Sequence, residues 1–186
     1  MTKREEILQT ADQLMMEKGY NAFSFYDIAE KVGIKTASIH YHFPAKKDLG
    51  IAIINLHKTD LVKVFERYAE RSPIDKLELF FKIYTRVKEN HHVCIMGSLA
   101  SDVNTISDDM RDTLQDFCQF FLDWLSDSLE EGRAKGLFQF KGTSRIKAMM
   151  IYTNMMGIVQ MNRLTDTNDL EMMKDQIRND LKVVIA

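Results

Sequence analysis

Two stretches of the chain crowd reactive or hydrogen-bonding side chains into a short span. In GIKTASIHYHFPAKKDL, residues 33–49, two imidazoles, a phenol and two hydroxyls fall within the seven residues 36–42, with lysines on either side. Groups of this kind suit hydrogen bonding to base edges and phosphates. In NHHVCIMGSLASD, residues 90–102, Cys94 stands beside His91 and His92 at the expected start of a helix. Both neighbourhoods favour thiolate, so Cys94 is a candidate thiol sensor, with a small buried hydrophobe as the alternative. Adjacent histidines point apart on most backbones and no fourth ligand is apparent, so no metal site is expected. Nor does Cys94 have an orienting third group or an oxyanion loop, so no catalytic residue is assigned and no cofactor is implied. Cys118, between Phe117 and Phe120, reads as core.

Helices must position these residues. With two prolines and eight glycines in 186 residues, and apolar positions recurring every three or four, the fold class is all-α. Thr2 and Glu5 form a capping-box pattern at the start of the first helix, which carries Ile7, Leu8, Ala11, Leu14 and Met15 and closes at Gly19. Ser24 and Asp27 repeat the pattern for a helix over 25–32 that stops at Gly33. A third helix spans about 36–42 and ends before Pro44, which disfavours helical geometry in the preceding residue. Further helices are expected at about 46–71, 73–90, 94–104, 107–135, 143–164 and 169–185.

Two short helices joined through a glycine turn describe a helix-turn-helix, whose second helix enters the DNA major groove. At about 100° per residue, Ile39 and Phe43 share the inward face of the third helix, so Ala37 and Tyr41 point outward. Thr36 and His40 lie on one flank, Ser38 and His42 on the other. The whole chain carries a net charge of -2, which argues against a surface that binds nucleic acid everywhere. Between Lys31 and Leu49, however, Lys31, Lys35, Lys46 and Lys47 face only Asp48, a local charge of +3. Basic charge therefore sits where phosphates would be met.

The stretches MEKGY and SFYDIAEKVGIKTASIHYHFPAKKDL resemble the DNA-binding domain of the TetR family of bacterial transcriptional regulators, a likeness that covers residues 2–49. The resemblance implies that Thr36, Ala37, Ser38, His40, Tyr41 and His42 face the groove or its edges. Lys46 would clamp a phosphate, and Ser24 and Tyr26 would touch the DNA backbone. Lys35 joins the DNA-binding set but replaces the usual small capping residue. His40 stands where tyrosine is common, and Ala45 where a serine often caps the next helix. The division implied is a helix-turn-helix domain over 1–46 and an effector-binding and dimerisation domain over 47–186. The residues around Cys94 resemble the subgroup that senses reactive electrophiles.

One helix-turn-helix reads few base pairs, so a homodimer on a pseudo-palindromic operator in double-stranded DNA is expected. The helix 143–164 is apolar nearly all round and needs both a core and a partner. With the last helix (Leu170, Met173, Ile177, Leu181) it is the candidate dimer interface. Nine of twelve methionines lie at or after Met96. Flexible thioethers suit an adaptable pocket for a small apolar or electrophilic effector, with Phe80, Tyr84, Phe117, Phe121, Trp124, Met150 and Met155 as its candidate lining and ordinary core as the alternative for each. The N-terminus lacks the apolar run of a signal peptide and no stretch suits a membrane span, so the expected location is cytoplasmic. The function expected is that of a ligand-responsive repressor. A constitutive architectural DNA-binding protein or a thiol enzyme on the same fold are the alternatives.

Overall fold

A computed structural model describes residues 1–165 and 167–182. Within them the chain forms nine α-helices and no strand: α1 (Lys3–Lys18), α2 (Phe25–Val32), α3 (Thr36–His42), α4 (Lys46–Arg67), α5 (Pro73–Glu89), α6 (Ile95–Ser101), α7 (Asp108–Ala134), α8 (Ser144–Asn162) and α9 (Asp169–Asp180). A single 3-10 turn at Tyr20–Ala22, absent from the sequence expectation, links α1 to α2.

Local chemistry fixes most boundaries. Both expected capping boxes form: the Glu5 N–H donates to Thr2 Oγ1 (3.2 Å) while Thr2 N–H donates to Glu5 Oε2 (2.7 Å), and Ser24 with Asp27 repeats the exchange. A third, Ser72 with Asp75, opens α5 with Pro73 in its first turn. Three helices end at least three residues earlier than expected. Beyond Arg67 the bonds Tyr68 N–H to Phe65 O and Arg71 N–H to Tyr68 O (both 3.0 Å) tighten the chain into turns that reach the Ser72 cap. After Ser101 the segment 102–105 turns, with Thr105 N–H on Asp102 O (2.8 Å). α9 stops at Asp180, and residues 183–185 of the expected helix lie outside the described residues.

The chain divides into two compact units, each made of two segments. Residues 1–63 and 93–117 form the first. Its core joins Ile7, Leu14 and Met15 of α1 to Ile28 of α2, Ile39 of α3 and Leu49 and Ile53 of α4, all fully buried or nearly so. Burying each such side chain contributes roughly 1.5–3 kcal/mol, which holds the short α2 and α3 that could not persist alone. Polar ties reinforce this unit: Val93 N–H donates to Met16 O (2.8 Å), Asn21 Nδ2 to Thr105 Oγ1 (2.9 Å), and His57 Nε2 lies 2.6 Å from Asp12 Oδ1.

Residues 64–92 and 118–186 make up the second unit. Here α8 packs on both α5 and α9. Ala148, Ile151, Tyr152, Met155, Ile158 and Val159 form its buried side. Ile146, Met149, Met150 and Met161 are exposed on the other. On α9, Leu170, Ile177 and Leu181 are buried within the chain rather than presented outward, while Met172 is exposed. These three expected interface residues therefore belong to the protein's own core.

Candidate nucleic-acid interface

α2 ends at Gly33, whose φ of 71° is left-handed and whose N–H returns to Ala29 O. Buried Ala29 lets α3 approach α2 closely. α3 then begins at Lys35, which supplies no side-chain cap. Losing such a cap costs about 1 kcal/mol, so α3 leans on tertiary anchors. Those anchors are Ile39 and Phe43, both buried as the periodicity required, and Arg4 lies over the Phe43 ring at 4.7 Å.

With that face inward, the opposite face is open. Tyr41 is 85% exposed and Tyr26 on α2 is 70% exposed. Thr36, Ala37, Ser38 and His40 are exposed and His42 is partly so. Tyr26, Lys35, Thr36, Ala37 and Ser38 line one open groove of about 1010 Å³, with Ala29, Glu30, Gly33 and Ile34 completing its walls. Half of the ten expected DNA-contacting residues thus share one surface. Glu30 was not foreseen; its carboxylate is the acidic member of this groove, able to accept from an exocyclic amine.

His40 and Lys46 are placed in unexpected ways. The His40 ring meets Phe25 edge-on with centroids 4.8 Å apart, and its Nδ1 lies 3.1 Å from Pro44 O. A carbonyl only accepts, so Nδ1 carries the proton and Nε2 is the atom left to face a ligand. Lys46, expected to clamp a phosphate, instead donates its ammonium to Phe23 O and lies over the Tyr20 and Phe23 rings at 4.7 and 4.5 Å. Burial pushes its pKa down from the ordinary lysine value. The nearby rings and carbonyl draw the ammonium inward, where it ties α4 to the loop before α2. Ser24 is likewise committed, its Oγ donating to Asp27 Oδ2 (2.6 Å) and accepting from Asp27 N–H. The missing serine cap at Ala45 is partly replaced, since Ala45 N–H donates to Asp48 Oδ2 (2.9 Å).

Most of the candidate effector residues lie in an aromatic cluster of the second unit. Phe80, Tyr84, Phe121 and Tyr152 pack ring on ring at centroid distances of 5.2–6.3 Å. Met155 is fully buried. Trp124 lies flat on Phe65, 3.9 Å between centroids and 5° between planes. Phe117 falls in the first unit, apart from this cluster in the chain's division. Met150 is 51% exposed, because its position on α8 turns it away from the buried stripe of Ile151, Tyr152 and Met155. Tyr152 takes the interior place in its stead. A cavity of about 250 Å³ lies elsewhere in the second unit, at the ends of α5 and α8 and the start of α9. Cys94 is 6% exposed at the N-cap of α6 and makes no side-chain capping bond. Cys118 is half-buried, and burial pushes its thiol up. Among the described residues no group of three or more His, Cys, Asp or Glu is arranged to hold a metal, and no helix is long and apolar enough to cross a membrane.

Comparison with known proteins agrees with this geometry. The family model for bacterial regulatory proteins of the tetR family matches residues 7–53, which span α1 through the first third of α4. A helix-turn-helix-type regulator from the lacX 3′ region of Lactococcus lactis is 27% identical over 122 residues, 60% of each chain. The repressor NemR of Escherichia coli K12 is 23% identical over 164 residues, 83% of this chain and 80% of NemR. Among solved structures, a TetR transcriptional regulator from Legionella pneumophila superposes with a TM-score of 0.87 at 30% identity, covering 97% of this chain and 98% of that one.

Proposed function

Since the chain belongs to the TetR family of transcriptional regulators, we propose that it acts as a homodimeric, ligand-released repressor of a pseudo-palindromic operator. The observation that carries this reading is the exposed α3 face, Thr36 to Tyr41, set on the buried pegs Ile39 and Phe43. Thr36, Ala37, Ser38 and Tyr41 would meet base edges, with the Ala37 methyl suited to a thymine methyl. Lys35 and His40 Nε2 would meet phosphate, and His42 and Tyr26 the flanks of the groove. The functional division is a DNA-reading head over 1–46 and an effector-binding and dimerisation body over 47–186.

Repression rather than activation is supported by the relatives: NemR is a repressor, and so is KstR2 of Mycolicibacterium smegmatis, 28% identical over 153 residues. The exposed apolar side of α8 supports the dimer. An effector shifts DNA binding only by the difference in its affinity for the two arrangements of the heads. The test is binding of the purified protein to the DNA upstream of its own gene, across a salt series and with a panel of small apolar, acidic and electrophilic compounds. Tight, competitor-resistant binding that some compound abolishes is expected. Affinity equal to that for random DNA refutes the operator reading. Release by an electrophile from the wild type but not from Cys94→Ser would place the thiol in the mechanism; equal release removes it.

A further inference from the structure

We propose that the cavity at the converging ends of α5, α8 and α9 binds a small organic acid, one carboxylate on a short apolar body, and that this is the effector site. The second half of the proposal rests on the ligand-released reading above; the first does not. The cavity measures about 250 Å³, below the roughly 300 Å³ at which sites for drug-sized ligands begin, so its occupant is small. Val159 and Leu170, both buried, give it an apolar floor. Above them stand donors. Asn162 lines the cavity, and its buried Nδ2 has no hydrogen-bond partner, a costly state that a small rotation toward an acceptor in the cavity would relieve. Lys88 Nζ donates to Thr167 O (3.1 Å) and keeps further N–H bonds for a ligand, and Arg163 lines the same cavity. One of the two acids on this wall, Glu171, is already matched by Lys174 (2.6 Å), which also donates to Thr85 Oγ1 (2.5 Å). Lys88 and Arg163 against Glu89 leave the cavity positive.

His91 adds an independent observation. α5 ends in a Schellman turn: His92 N–H donates to Val87 O (3.0 Å) and His91 N–H to Lys88 O (2.9 Å). His91 occupies its left-handed position, with φ of 53°, where glycine is the favoured residue. A non-glycine residue there carries a conformational cost, and the residue that bears it lines the cavity. The chain then passes from His92 to Val93, whose N–H is bonded to Met16 O of α1.

The test uses the full chain with butyrate, hexanoate and benzoate, against hexanol and inorganic phosphate, by isothermal titration calorimetry. We expect at least one acid to bind once per chain, at least tenfold tighter than hexanol or phosphate. Asn162→Leu and Arg163→Ala should each weaken it about tenfold. His91→Gly should raise Tm yet weaken the acid, a combination that a merely structural role for His91 does not produce. Binding of none of the acids, equal binding of hexanol, or binding of phosphate alone overturns the site. Operator release is measured separately. Acid binding without release upholds the site and overturns its effector role. Release by another compound, unchanged in Asn162→Leu and His91→Gly, also overturns that role while the repressor reading stands.

Discussion

Tyr41 and Lys46 are five residues apart and have opposite fates, which a charge count could not separate. Tyr41 has no core to join, so its ring and hydroxyl remain for the groove. Tyr41→Ala should weaken operator binding by about 1–3 kcal/mol while leaving affinity for random DNA and the unfolding midpoint nearly unchanged. Equal loss on both DNAs in a competition assay would remove Tyr41 from base readout. Lys46 is the reverse case. Its ammonium is held by Phe23 O and two rings, so Lys46→Ala should cost about 1–3 kcal/mol of stability by urea unfolding. The salt slope of operator binding should stay as it was, whereas a fall of about one in that slope would restore Lys46 to the phosphate contacts. Lys35, exposed in the groove, is where the slope should change.

At the scale of the element, the short α2 depends on its cap. The Ser24 hydroxyl and backbone N–H both donate to Asp27, which holds its carboxyl below the usual carboxylate range. For a depressed carboxylate the stabilisation is present above the ordinary aspartate pKa and is lost as pH falls through the lowered value. Ser24→Ala should therefore cost about 1 kcal/mol and shift the Asp27 titration, followed by NMR, to higher pH. An unmoved titration would mean that the cap is not what lowers it. This cap, like those at Thr2 and Ser72, was legible in the sequence or could have been, because its partners are three residues apart. The inward Ile39–Phe43 face was legible for the same reason. The inward turn of Lys46 was not, since Tyr20 and Phe23 reach it only once α1, α2 and α4 have packed. The exposure of Met150 also escaped, because α8 is apolar on both sides and its periodicity could not say which side was core. The cavity beside Asn162 needs three helix ends to meet, and spacing along the chain carries no sign of it.

For the whole molecule the proposed homodimer turns on the outer side of α8. Ile146, Met149, Met150 and Met161 are exposed there, and at Gly157 an added Cβ would meet nothing within 4 Å, so another backbone can come close. Several large apolar side chains left on one helix of a folded chain mark an interaction surface. In the proposed homodimer a second copy of the chain would cover it, since a two-fold pairing of one face with itself gives two identical α3 helices for two identical half-sites. DNA affinity is then coupled to dimerisation: two heads on one body bind with the second contact made at high effective concentration, which a single head lacks. Met150→Lys puts a charge into the middle of this face while leaving the buried stripe of α8 untouched. It should sediment as a single chain with an unchanged helical spectrum, and its operator affinity should fall at least a hundredfold while contact with random DNA falls far less. A variant that remains dimeric with full operator affinity would exclude the outer face of α8 as the interface and would require the two heads to be joined elsewhere.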